Sequence, residues 1–166
     1  MKKIKNIFGF TLVELMVVVA VMIILTGIGA AALNKLNNSQ ELDSLKNEMI
    51  NSLNLSRSMA LTNQLPNGIN DSLRFVLVTM TVGTSLRTDA VTIDSGAQTY
   101  FVKNNKAITT NNSFGFSIEN GRLTDGNGIL TSTPLCLSLS LDNDTDDKKY
   151  IYIETTGLIY EKNNCN

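Results

Sequence analysis

The chain has 166 residues, 43% apolar and 17% charged, with 14 basic against 15 acidic side chains and a formal charge of −1. The absence of histidine excludes His-based triads, His-ligated metals and an imidazole pH switch, and two cysteines cannot build a four-thiolate zinc or iron–sulfur site within one chain. No basic excess exists to neutralise duplex phosphates. The chain opens on Lys2, Lys3 and Lys5, before any acid. From Leu15 to Leu33 the only polar side chain is Thr26. A helix of that length rises about 28 Å, enough to cross the hydrocarbon of a bilayer. A basic start, an apolar centre and the small residues Ala30, Ala31 and Ala32 also fit a cleaved secretory signal. Glu14 speaks against that reading. A carboxylate at membrane depth costs roughly a few kcal/mol unless it is neutralised or paired. Cleavage after Gly9 would create a partner, the free α-amine of Phe10, four residues away on the same chain or presented by a shifted neighbour.

Residues 9–14, GFTLVE, preceded by MKKIKNIF and followed by the apolar stretch, resemble the signature of type IV prepilins and type II secretion prepseudopilins. The resemblance implies cleavage by prepilin peptidase between Gly9 and Phe10 and N-methylation of Phe10. It further implies a role for Glu14 in recruiting and aligning subunits as they enter the filament.

Beyond the apolar stretch, Leu42, Leu45, Met49, Leu53, Ser56 and Ala60 recur at intervals of three and four, which marks one helix face for burial. Leu36, Ile50 and Met59 lie near that face. Glu41, Asp43, Lys46 and Asn47 occupy positions expected to face solvent. The pattern predicts one helix from about Thr11 to Thr62, ended by Pro66-Asn67-Gly68. The expected division is a leader at 1–9, a transmembrane stalk at 10–33, an amphipathic helix at 34–65 and a β-rich head at 66–166. Strands are predicted over Leu73 to Met80, Ala90 to Asp94, Thr99 to Lys103 and Phe114 to Glu119, the last closed by Asn120-Gly121. Leu135 to Leu141 follows, with four leucines facing one way, then Tyr150 to Glu154 and Leu158 to Glu161. The expected fold class is α+β: a long N-terminal helix on one mostly antiparallel sheet, which is also the pilin-like head architecture.

Residues 53–64, LNLSRSMALTNQ, resemble the LxxARSxA stretch of the minor pseudopilin H family, which includes the FimT-like minor pilins. FGFSIENGRL, a leucine-rich strand and YIYIETTGLI follow in that family's order. Ser56 departs from the usual alanine, and the ending GLIYEKN is less basic than the family's.

Asp142, Asp144 and Asp146 imitate the first half of a calcium loop, but Asp147 stands where that loop needs glycine and Ile153 where it needs glutamate. A solvated hairpin turn is the preferred reading, and no metal is assigned. Cys136 is expected on the polar face of its strand, where the tail carrying Cys165 can cross it. The alternatives are a disulfide closing a loop of about 30 residues, favoured in an oxidising compartment, and two free thiols. For nucleic acid, Lys148-Lys149 beside Tyr150 and Tyr152 is the best local feature, yet the head's cations are dispersed among more numerous acids. Nucleic acid is therefore disfavoured as a partner. No spacing singles out a nucleophile and its base, so neither an enzyme nor a cofactor is expected.

The expected function is a minor pseudopilin of a type II secretion system. It would be held in the inner membrane with its head in the periplasm until it joins the pseudopilus or its tip. The alternatives are a minor pilin of a type IV pilus, serving assembly, adhesion or DNA uptake, and a major pilin. Partners implied by the resemblance are prepilin peptidase, other pilins or pseudopilins and the inner-membrane platform protein, with the assembly ATPase acting indirectly.

Overall fold

The computed structural model describes residues 10–141 and 147–165, leaving aside the side chains of residues 27–32. The leader, with Gly9, and the calcium candidates Asp142, Asp144 and Asp146 lie outside the described residues. The chain divides into two compact units, Met1–Asn38 and Ser39–Asn166.

A single helix, α1 (Leu12–Leu61), runs through both units, close to the predicted span. In the first unit every side chain from Phe10 to Thr26 is exposed. Among the described residues no helix is long and apolar enough to cross a membrane; the span expected to do so includes residues 27–32.

In the second unit α1 ends earlier than Pro66, and by a different device. Asn63 takes a left-handed conformation (φ 50°). The Asn63 amide donates to the Ala60 carbonyl at 3.2 Å and the Gln64 amide to Met59 at 3.1 Å. This is the Schellman closure of a helix C-terminus, with asparagine in the place usually held by glycine and proline just beyond.

Five strands follow as one antiparallel sheet: β1 (Leu73–Thr81), β2 (Ser85–Thr92), β3 (Ala97–Asn104), β4 (Asn112–Ser117) and β5 (Leu123–Asp125), in spatial order β3-β2-β1-β4-β5. Three more, β6 (Leu135–Leu139), β7 (Lys149–Ile153) and β8 (Ile159–Lys162), form a second antiparallel sheet. The single predicted sheet is thus two. The reason lies at β5, whose outer edge is taken by the returning chain. Asp125 N donates to Ile129 O at 2.8 Å and Thr131 N to Leu123 O at 3.1 Å. With that edge satisfied, β6 cannot extend the sheet. The two sheets still share one core, in which Leu42, Met49 and Leu53 of α1 meet Val76, Val78, Phe116, Leu137, Leu139, Ile151 and Ile153.

The strand β2 begins five residues before the predicted Ala90. Its inward positions are Leu86, Thr88, Ala90 and Thr92, all buried. Two threonines and an alanine make a weak apolar signal, and the tight turn at Gly83 (φ +63°) supplies the reversal. The short β5 was not predicted at all.

Candidate assembly site and the helix–head seam

At the start of α1, Thr11 and Glu14 complete one another. The Thr11 backbone amide donates to Glu14 Oε2 at 3.0 Å and the Thr11 hydroxyl donates to the same oxygen at 2.9 Å. In return the Glu14 amide donates to Thr11 Oγ1 at 3.3 Å. This reciprocal pair is a capping box, T-x-x-E, which satisfies amides that the first helical turn leaves without partners. Besides the amine expected at Phe10, Glu14 thus has a second partner in Thr11, legible in residues 11–14 as T-x-x-E. In the uncleaved chain Glu14 is therefore an exposed acceptor already engaged at its own helix start, next to Phe10, which is 83% exposed.

The second unit is held together along the face of α1 that the periodicity marked. Leu42, Met49, Leu53, Ser56 and Ala60 are all buried. Leu45, Ile50 and Met59 are partly buried against them, whereas Leu36, in the first unit, is 53% exposed. Lys46 corrects the prediction of a solvent position. It is only 7% exposed, with Nζ 2.7 Å from Glu161 and 3.1 Å from Asp43. Burial disfavours its charge, but the Glu161 and Asp43 carboxylates outweigh that and hold its pKa above the ordinary lysine value. Lys46 and Lys149 in turn lower the pKa of Asp43. Lys149 reaches Asp43 at 3.2 Å, Lys106 reaches Glu41 at 2.7 Å and Lys103 reaches Glu48 at 3.6 Å. Residues 41–48 of the helix are thus tied to the head by ion pairs flanking the apolar stripe.

Those pairs bear on the nucleic-acid feature. Lys149 is committed to the helix, Lys148 is exposed, and Tyr152 packs against Tyr160 at 5.5 Å between ring centroids while Lys162 lies 4.4 Å over its ring. Tyr150 is partly buried. Of Lys148, Lys149, Tyr150 and Tyr152, Lys149 is the one turned to the helix. Among the described residues no group of three or more acids or cysteines is placed to hold a metal ion.

Ser56 and Arg57 add polar contacts between the helix and the head. Ser56 Oγ donates to Ser52 O at 2.8 Å and lies 2.9 Å from Thr88 Oγ1 on β2, both residues being fully buried. Arg57, one turn from the helix end, fastens two turns of the head. Its Nε donates to Gly121 O at 3.2 Å and Nη2 donates to Thr156 O at 3.3 Å. Gly157 (φ +81°) lies against the Gly121 carbonyl so closely that an added Cβ would sit 1.9 Å from that oxygen. Arg57 was visible in the sequence as part of LNLSRSMA, but its receptors lie 64 and 99 residues away, and no local pattern could supply them.

Cys136 and Cys165 form a disulfide, with Cα atoms 5.6 Å apart. It fastens the tail beyond β8 to the outward face of β6, where Cys136 is paired with Tyr152 of β7.

The chain thus has an exposed N-terminal helix segment that continues into an α+β head. Comparisons with known proteins match its two parts separately. The prokaryotic N-terminal methylation motif matches residues 4–30. The fold is similar to the crystal structure of the type IV minor pilin FimU from Pseudomonas aeruginosa strain PAO1, at a TM-score of 0.53 and 19% identity, covering 74% of this chain and 89% of that one. No curated protein matches the chain. Motif and fold together support the type IV pilin and pseudopilin superfamily.

Proposed function

We propose that this chain is a minor, membrane-anchored subunit of a type II secretion pseudopilus, supporting protein secretion by packing and recognition rather than catalysis. On this reading residues 1–9 are a leader, 10–33 the anchor, 34–65 the helix entering the head and 66–166 the head. Prepilin peptidase cleaves between Gly9 and Phe10 and methylates the Phe10 amine. The observation that carries the reading is the methylation motif running directly into a helix whose side chains are all exposed from Phe10 to Thr26. So much apolar surface has to be covered by lipid first and by neighbouring subunits afterwards. Cleavage would place a new cation beside Glu14, which already accepts two hydrogen bonds from Thr11, and a neighbour's Phe10 amine would compete for the same carboxylate. The inner-membrane platform protein and other pseudopilins are the partners this implies, with the head in the periplasm.

The fold likeness to a minor pilin favours a second reading, a minor pilin of a type IV pilus. Deleting the gene discriminates. Retention of secreted proteins in the periplasm supports the first reading, and loss of surface pili with secretion intact supports the second. A chain that dominates purified filaments by mass would be a major pilin and would refute both. The mature protein isolated from its host should begin at methylated Phe10, and a start near Ala31 or Leu33 would overturn the anchor. Glu14→Ala should abolish incorporation into filaments; equal incorporation would end the recruitment role.

A further inference from the structure

The chain contains three Asn-Gly steps, Asn67-Gly68, Asn120-Gly121 and Asn127-Gly128, each with its glycine at positive φ. Such steps are prone to self-modification. Glycine has no side chain to obstruct its own amide nitrogen from approaching the carbonyl carbon of the preceding asparagine side chain. The attack needs that nitrogen unengaged and the turn free to move.

The fold treats the three steps differently. The Gly121 amide donates to Ser117 O at 2.9 Å, and Asn120 Oδ1 accepts from the Arg122 amide at 3.2 Å. Gly121 also packs beneath Arg57 and Leu61, both 3.1 Å from an ideal Cβ position. The Gly128 amide donates to Asp125 O at 3.1 Å, the Asn127 amide to Asp125 Oδ1 at 2.9 Å, and Gly128 lies against the Phe75 ring. At the remaining step both residues are exposed, and nothing lies within 4 Å of a Cβ placed on Gly68. Among the described residues the Gly68 amide donates no hydrogen bond. The turn is closed by a single long contact, Ile69 N to Pro66 O at 3.3 Å.

We infer that Asn67 is a self-modification site, converting to aspartate and isoaspartate well ahead of Asn120 and Asn127 in the folded protein. The Gly68 nitrogen gives its proton to solvent base and its electron pair to Asn67 Cγ. The bond from Cγ to the side-chain nitrogen breaks, and that nitrogen leaves as ammonia. Water then opens the resulting succinimide at either carbonyl. One opening leaves an ordinary aspartyl link and the other a β-aspartyl link with one more methylene in the main chain. The reaction is hydrolytic and needs neither oxidant nor cofactor. It adds a negative charge to the connection between α1 and β1.

The test is a time course of the full chain in mild detergent at slightly alkaline pH, with peptide mass spectrometry at all three steps. In the folded chain Asn67 should convert at least about fivefold faster than either other site, the factor conferred by one neutral hydrogen bond that must first open. In concentrated urea the three rates should converge. Gly68→Ala should slow Asn67 alone. The inference is overturned if Asn120 or Asn127 keeps pace with Asn67 in the folded chain. It is equally overturned if the lead of Asn67 persists in urea, since the fold would then not be its cause.

Discussion

Ser56→Ala removes one oxygen from the fully buried seam between α1 and β2, and the hydrogen-bond geometry sets its cost. Ser56 has a single hydroxyl proton, which goes to Ser52 O at 2.8 Å, so at the 2.9 Å contact Thr88 must be the donor. Alanine at position 56 leaves the Thr88 hydroxyl buried without its acceptor, a loss of about 1–3 kcal/mol. Thr88→Val is milder, about 1 kcal/mol, because Ser56 keeps its bond to Ser52. The double variant replaces the pair by apolar groups of similar shape and should recover much of the loss, giving a coupling of about 1–2 kcal/mol. Urea unfolding of the detergent-solubilised full chain, followed by tyrosine fluorescence, reads this out, since all four tyrosines lie beyond residue 99 and report on the head. Losses that simply add in the double variant would refute the pairing. The same contact gives a reason for serine where the resembled family usually has alanine: Thr88 supplies the donor it accepts from.

Gly157→Ala puts a methyl into the Gly121 carbonyl at a residue with φ +81°, and it should destabilise the head by more than the roughly 1–3 kcal/mol of backbone strain alone. Urea midpoints check it, and a neutral result would discard the Arg57 clamp. Reducing the disulfide, whose cysteines are 29 residues apart, should cost about 3–4 kcal/mol on the chain-entropy scale, seen as a lower urea midpoint with reductant. Asp71 accepts amide protons from Ser72, Asp94 and Ser95, and the Ser95 amide first, then the Thr92 side chain and the Ser72 and Asp94 amides, hold its carboxyl well below the ordinary aspartate range. Its folded pKa is depressed, so its contribution is complete above the unfolded value of about 3.9 and is lost as pH falls through the lower folded pKa. Carboxyl chemical shifts in an acid titration should show Asp71 protonating well below the ordinary aspartate range, and a midpoint near 3.9 would contradict the cradle.

Two elements show what was legible and what was not. The stripe from Leu42 to Ala60 could be read because helical burial repeats within a few residues, so the chain itself carries the period. Lys46 could not. Nothing local distinguishes it from Glu41 or Asn47, and it is buried because Glu161 lies there to meet it, 115 residues further on. The split into two sheets was hidden for a similar reason. Alternation marks a strand but not its neighbour, and the free edge of β5 is closed by residues 129–131 rather than by another regular strand.

The leader-to-helix signature, the continuous α1, most strands and the candidate disulfide pair follow from the amino-acid order alone, since each rests on local composition, periodicity or the presence of only two thiols. Tertiary structure alone decided that Arg57 clamps two distant glycine turns, that Ser56 meets Thr88, and that three similar Asn-Gly steps differ in exposure and hydrogen bonding. Those outcomes depend on which groups the folded chain brings within hydrogen-bond distance, and separation along the chain carries no record of it.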